Sequence, residues 1–356
     1  MPDPNPAGSA EGDKKRVTLA LQGGGAHGAF TWGVLDRLAE EPSFAIQAIS
    51  GTSAGALNAA VFAHGFAQNG AAGAKQKLQD FWRSVSDAGN SVFNPYSYLA
   101  EWPMLAPYVS LWVNVLSQVW SPYDNFFYTN RLKPLLEEAI DFKKLSHLGK
   151  PALFICATNV RTNQRKIFHG EELSVDVLLA SACLPSLFQA IGVKGNDYWD
   201  GGYMGNPVLS PLIPFADDMV IVEVNPINRK ETPHRAADIM DRLNEITFNS
   251  ALVREIAQIN LLNRLIGSGE LKSKKYKAIR FHVINAEEKM SAYPEYTKSE
   301  TSWGFLTELK ALGRDVASKW LSDSGQFGNV GERTSFDVEE RLIRRLNTHP
   351  AAMHAS

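Results

Sequence analysis

A serine held between glycines at the end of an apolar run can serve as a nucleophile. Residues 51–55 read Gly51-Thr52-Ser53-Ala54-Gly55. A G-x-S-x-G turn between strand and helix presents the serine hydroxyl at the top of a sheet. The flanks fit: FAIQAIS (44–50) reads as a buried strand, and Leu57, Val61 and Phe62 form the apolar stripe of a helix. That helix opens at Ala54 and directs its positive end toward the hydroxyl, favouring developing negative charge. A serine also needs a base. Asp200, in Tyr198-Trp199-Asp200-Gly201-Gly202, closes a predicted strand before two glycines, where a carboxylate can project into a site. A free aspartate, with a pKa of about 3.9, is a weak base, and burial would strengthen it. Alone, the same Asp-Gly-Gly reads as readily as a turn.

Gly23, Gly24, Gly25 and Gly28 follow the strand-like run VTLALQ (17–22) and open a helix. The G-x-G-x-x-G spacing matches a dinucleotide fingerprint, which also requires an acid about 20 residues on, at the end of the second strand. That strand ends at Ser50-Gly51-Thr52-Ser53, with no acid. The second reading is a loop whose backbone N–H groups stabilise an oxyanion without any side chain.

A Ser-acid-His triad remains a second mechanism, and the histidines after Asp200 are His234, His282, His349 and His354. His349 and His354 fall in the tail, His234 follows Pro233 before a helix, and His282 lies inside an alternating strand as a packed residue. His64 and His169 lack metal-ligand spacing, and Glu171-Glu172 reads as a solvated turn; no metal or cofactor is expected.

The elements that must carry these residues alternate. A helix with Phe30, Val34, Leu35 and Leu38 on one face follows the glycines, and residues 75–86 and 130–140 read as helices. ALFICATN (152–159) and RKIFH read as strands, SVDVLLASA as a helix and DMVIVEVN (218–225) as a core strand. A long helix over 235–266, a strand in KAIRFHVIN and a helix over 304–321 complete the pattern. This predicts an α/β fold of three layers, a mostly parallel central sheet flanked by helices, with its site at the carboxyl ends of the strands.

QGGGAHG (22–28), GTSAG (51–55) and WDGG (199–202), in this order, resemble the patatin-like phospholipase family. ASACLPSLF (180–188) and GNPVLSPLI (205–213) are similar to that family's sequences too, so the resemblance covers roughly 17–213. It implies a Ser–Asp dyad without histidine: Ser53 forms an acyl-enzyme, Asp200 is the base, and Gly23, Gly24, Gly25 and Gly28 form the oxyanion hole with Ala54. It also implies a lipid or acyl-ester substrate. His27 stands where many relatives carry Arg or Lys. The stretch from HVINAEEKM to the helix over 304–321 resembles the C-terminal extension of a bacterial subgroup.

The 356 residues carry a net charge of −2, with 44% hydrophobic and 21% charged residues, which gives no pull toward nucleic acid. The lysines at 272, 274, 275 and 277 read as a solvated loop. Cys156 and Cys183 lie in apolar runs and read as buried thiols suited to the cytosol, and no run is long enough to span a membrane. Residues 1–16 read as a disordered leader, 17–213 as the hydrolase domain, 214–323 as an extension completing the core, and 324–356 as a mobile tail. Residues 92–128 hold many aromatics and only two charges, Glu101 and Asp124. They read as a subdomain core or as a cap whose Trp112 and Trp120 line an acyl pocket and touch a membrane peripherally. Alternatives to hydrolysis are a thioesterase, an acyltransferase or an idle lipid-binding scaffold; oligomeric state is not encoded in any motif.

Overall fold

β-branched and apolar runs buried on both sides make the centre of this protein, seen in a computed structural model that describes residues 14–93, 121–124, 129–229, 231–272 and 276–334. Trp112, Trp120 and nearly all of the aromatic stretch lie outside the described residues, as do most of the leader and tail. The strands are β1 (Lys15–Leu21), β2 (Phe44–Gly51), β3 (Ala152–Asn159), β4 (Gln164–His169), β5 (Ile191–Val193), β6 (Asn196–Asp200), β7 (Asp218–Val222) and β8 (Arg280–Ile284). The main helices are α1 (Gly28–Leu38), α2 (Ala54–Ala88), α3 (Leu132–Ala139), α4 (Val175–Ser181), α5 (Ala236–Gly267) and α6 (Trp303–Ser322). The helical geometry of α2 breaks at Asn69 and Gly70, which separates its two sequence-predicted halves.

Strands β3, β2, β1, β7 and β8 run parallel in that order. β4 pairs antiparallel with the far edge of β3, while β6 pairs antiparallel with the edge that β2 leaves and carries β5 antiparallel beside it, so the sheet is mixed rather than mostly parallel at that side. The short strand β5 and its tight turn through Lys194 and Gly195, both at positive φ, were not legible as a strand pair.

Alternating strand residues feed two cores. Val17, Leu19, Leu21, Val220 and Val222 face a large core with α1, α2 and α6. Ala20, Ala48, Met219, Ile221 and Phe281 face a smaller one with Leu252, Ile256 and Ile259 of α5. This is the α/β three-layer arrangement. Among the described residues no helix is long and apolar enough to cross a membrane.

Candidate active site

One edge of β3 determines where the site forms. Ile155 pairs with Phe168 of β4 on one side and Gly51 of β2 on the other. Two residues on, Ala157 still pairs with β4, through Lys166, but its other partner is Asp200 of β6. Strands β2 and β6 therefore share a single edge and meet end to end. β2 must turn out of the sheet after Gly51, and it does so through the elbow that carries Ser53.

Ser53 sits at φ 54° and ψ −129°, a conformation that L-residues rarely adopt and that costs of order 1–3 kcal/mol. Its N–H donates to Ser181 Oγ (3.0 Å), and the Thr52 hydroxyl donates to the Gly205 carbonyl (2.7 Å). Behind it, Gly55 lies so close to β1 that a Cβ would collide with the Leu21 carbonyl oxygen.

Asp200 is completely buried. Its N–H donates to the Cys183 carbonyl (2.7 Å), and its own carbonyl accepts from the Thr158 hydroxyl (2.8 Å). Carboxylate Oδ1 accepts from the Gly202 N–H (2.7 Å). Oδ2 has no aligned hydrogen bond among the described residues, although the Ser53 hydroxyl is near enough to draw the pKa down. Burial dominates all the same and pushes the carboxyl up to about 7, against the opposing pull of Gly202 and then Ser53. The serine and the aspartate are thus brought together.

The glycine loop lies against the elbow: a Cβ on Gly23 would fall 2.5 Å from the Ser53 Cβ. Its four glycines do not share one role. The Gly23 N–H is taken by Asn206 Oδ1 (2.7 Å), and its carbonyl accepts from Asn225 Nδ2 (2.7 Å). The Gly28 N–H turns back to the carbonyls of Ala26 and Gly25. Gly24, Gly25 and Ala54 are the positions whose N–H groups have no acceptor among the described residues. Gln22 anchors the start of the loop, accepting from the N–H groups of Val224 and Asn225 (2.8 and 2.9 Å) and donating to Asn249 on α5 (2.9 Å).

His27 is buried, and its Nε2 meets the Thr297 hydroxyl at 2.7 Å. Burial, then the Lys298 charge, pulls its pKa down to about 3, so the ring is neutral at pH 7. It offers no fixed positive charge where a basic side chain would, and it ties the loop to the 295–299 turn.

The other histidines lie elsewhere. His282 is buried against Asp218 (Nε2 to Oδ1, 2.8 Å) at the amino end of β7, opposite the elbow end of the parallel strands. His234 is exposed, and His349 and His354 lie outside the described residues. Among the described residues no cluster of His, Cys, Asp or Glu could hold a metal. Cys156 and Cys183 are free and buried.

Sequence reading missed Ser181, Thr158, Asn206, Gln22, Asn225 and Thr297, whose hydrogen bonds hold the elbow, Asp200 and the glycine loop. The stretches ASACLP and GNPVLSPLI held two of them, Ser181 and Asn206, in plain view.

No curated protein matches the chain in sequence. Among solved structures it is similar to VipD from Legionella pneumophila, at 14% identity and a TM-score of 0.35, covering 84% of this chain and 67% of that one. A likeness that slight adds nothing to the assignment. The model of the patatin-like phospholipase family matches residues 19–213, more than half of the 356, and the chain belongs to that family.

Proposed function

We propose that this protein, whose family implies lipid acyl hydrolysis, cleaves acyl esters through Ser53 and Asp200. The observation that carries the reading is the buried carboxylate beside the strained serine, with Oδ2 unengaged and its pKa pushed up to about 7. Asp200 takes the proton as Ser53 Oγ bonds to the acyl carbon, and the carbonyl electron pair moves onto oxygen. The free N–H groups of Gly24, Gly25 and Ala54 receive that oxyanion, while Gly23 and Gly28 shape the loop. Collapse expels the alcohol, which takes the proton from Asp200, and an acyl-Ser53 remains. Water, losing its proton to Asp200, then attacks the acyl carbon, and collapse releases the acid as Ser53 Oγ leaves and takes the proton back from Asp200.

The residues that carry this chemistry lie within 17–213, and 214–323 act as an extension supplying β7, β8, α5 and α6. The two buried thiols accord with a cytosolic setting.

Ser53→Ala and Asp200→Asn should each lower ester hydrolysis by roughly 10⁴-fold, and a fluorophosphonate should label Ser53 alone. His282→Ala should leave the rate within about tenfold, at lower stability, because His282 partners Asp218. A His282→Ala loss equal to that of Ser53→Ala in a folded protein would establish the triad instead. Full activity in Ser53→Ala would remove the proposal altogether.

A further inference from the structure

Two peptides at the carboxyl end of β1 face opposite ways. In the Leu21–Gln22 peptide the carbonyl accepts from the Thr52 N–H on the β2 side (3.4 Å), and the N–H donates to the Val222 carbonyl of β7 (3.2 Å). Strand alternation would repeat that orientation two peptides on, at Gly23–Gly24. There the carbonyl points instead to the β7 side, where it accepts from Asn225 Nδ2 (2.7 Å). A trans peptide sets its N–H opposite its carbonyl. Since β1 lies between β2 and β7, the Gly24 N–H turns toward the β2 side, where the Ser53 elbow stands. It has no acceptor among the described residues.

Asn225, just past β7, is held in turn. Its N–H donates to Gln22 Oε1 (2.9 Å), and the carbonyl of the next residue, Pro226, accepts from Asn249 Nδ2 on α5 (3.0 Å). The side chain is buried, 2% exposed. Only its amide N–H₂ can serve a carbonyl, so Oδ1 must face the other way. There Oδ1 has no hydrogen-bond partner among the described residues. A buried oxygen in that state costs stability, and a leucine of similar shape would fill the space without it. The donor to Gly23 is what the amide supplies and leucine could not.

We propose that Asn225 is a positioning residue for the oxyanion hole, which aims the Gly24 N–H at the oxyanion by holding the Gly23 carbonyl on the β7 side. The proposal rests on the reading of Ser53 and Asp200 as an acyl-ester hydrolase. Without Asn225 the Gly23–Gly24 peptide can rotate back toward strand alternation, setting a carbonyl oxygen where an N–H should stand. A bound ester, whose carbonyl carries little charge, senses that change less than the tetrahedral intermediate does.

The test compares wild type with Asn225→Leu, which keeps the volume, and Asn225→Ala, which avoids crowding, each with its circular dichroism melt. On a soluble short-chain nitrophenyl ester, kcat should fall roughly 100-fold while KM changes by less than about threefold. An alkyl trifluoromethyl ketone takes Ser53 Oγ onto its carbonyl carbon, the serine proton passing to Asp200, and leaves an anionic hemiketal oxygen in the hole. Its affinity should fall by a similar factor. The matching trifluoromethyl carbinol cannot accept the serine, so its affinity should stay within about threefold. Ketone and carbinol weakened equally, or kcat unchanged in a folded variant, would overturn the aiming of Gly24 and leave the hydrolase reading intact. Loss of a cooperative melt in both variants would make Asn225 a residue of the fold and overturn it as well. Wild type that neither cleaves the ester nor prefers the ketone to the carbinol would remove the hydrolase reading, and the proposal with it.

Discussion

A carboxylate sealed from water and held by one N–H is costly to ionise, and Asp200 carries that cost; in the proposed mechanism its proton comes and goes near pH 7. The group binds its proton more tightly folded than unfolded. It therefore adds stability below its ordinary 3.8, and that contribution drains away as pH rises through about 7. The span amounts to roughly 4 kcal/mol. Asp200→Asn should accordingly melt several degrees above wild type at pH 8, with the gap closing near pH 4, while activity is lost at both. Wild-type kcat/KM should rise with pH through a midpoint near 7, and a flat profile from pH 5 to 9 would contradict the role of Asp200 as base. Ser53 stores its cost in the backbone instead. Ser53→Gly and Ser53→Ala should both be inactive, but glycine accepts φ 54° freely and should melt higher, by the equivalent of about 1–2 kcal/mol. Equal melting temperatures would mean that the elbow is relaxed.

The glycine loop depends on elements remote in sequence. His27 reaches Thr297, and Asn206 holds Gly23 in place. Thr297→Val removes one hydroxyl far from the reacting atoms and should lower kcat several-fold with little change in KM, whereas Thr297→Ser should restore it. A loss in Thr297→Ser as deep as in Thr297→Val would show that bulk, not the hydroxyl, matters. These dependencies mark where sequence reading stops. GTSAG and WDGG could be read because a sharp turn needs glycine wherever it occurs, and the strand–helix alternation could be read because burial has a period. Nothing local shows that the Gly23 N–H is occupied by an asparagine 183 positions downstream, or that β6 takes over the β3 edge where β2 leaves it. Spacing likewise treated the four glycines alike, although only two of them keep a free N–H. The edge strand β5, three residues long, has too little pattern to register.

At the scale of the whole molecule, the last third of the chain is structural for the first. β7 pairs with β1, β8 with β7, and α6 packs on α1. A chain ending at residue 213 should be insoluble or lack a cooperative melt, because β1 would present an open edge and Gln22 would lose the N–H groups of Val224 and Asn225. A soluble, active product of that length would show that the extension is dispensable. Acid should also loosen the molecule through His27 and Asp218. The His27 pKa falls from 6.5 to about 3 on folding, and Asp218 is held below its ordinary range by His282 and Arg280 against burial. Stability gained through His27 is therefore lost as pH falls below about 6.5, and that from Asp218 below about 4. Circular dichroism melts between pH 3 and 7, with Asp200→Asn removing the opposing carboxyl, should display both losses. The tie from His27 to Thr297 also sets a clock. It joins residues 270 positions apart, and at roughly 5–20 residues per second a ribosome needs some 15–55 seconds to make the second after the first. Throughout that interval the nascent chain already carries the Ser53 segment while its glycine loop lacks the Thr297 tie. Synthesis order alone thus delays the finished glycine loop until residue 297 has been made.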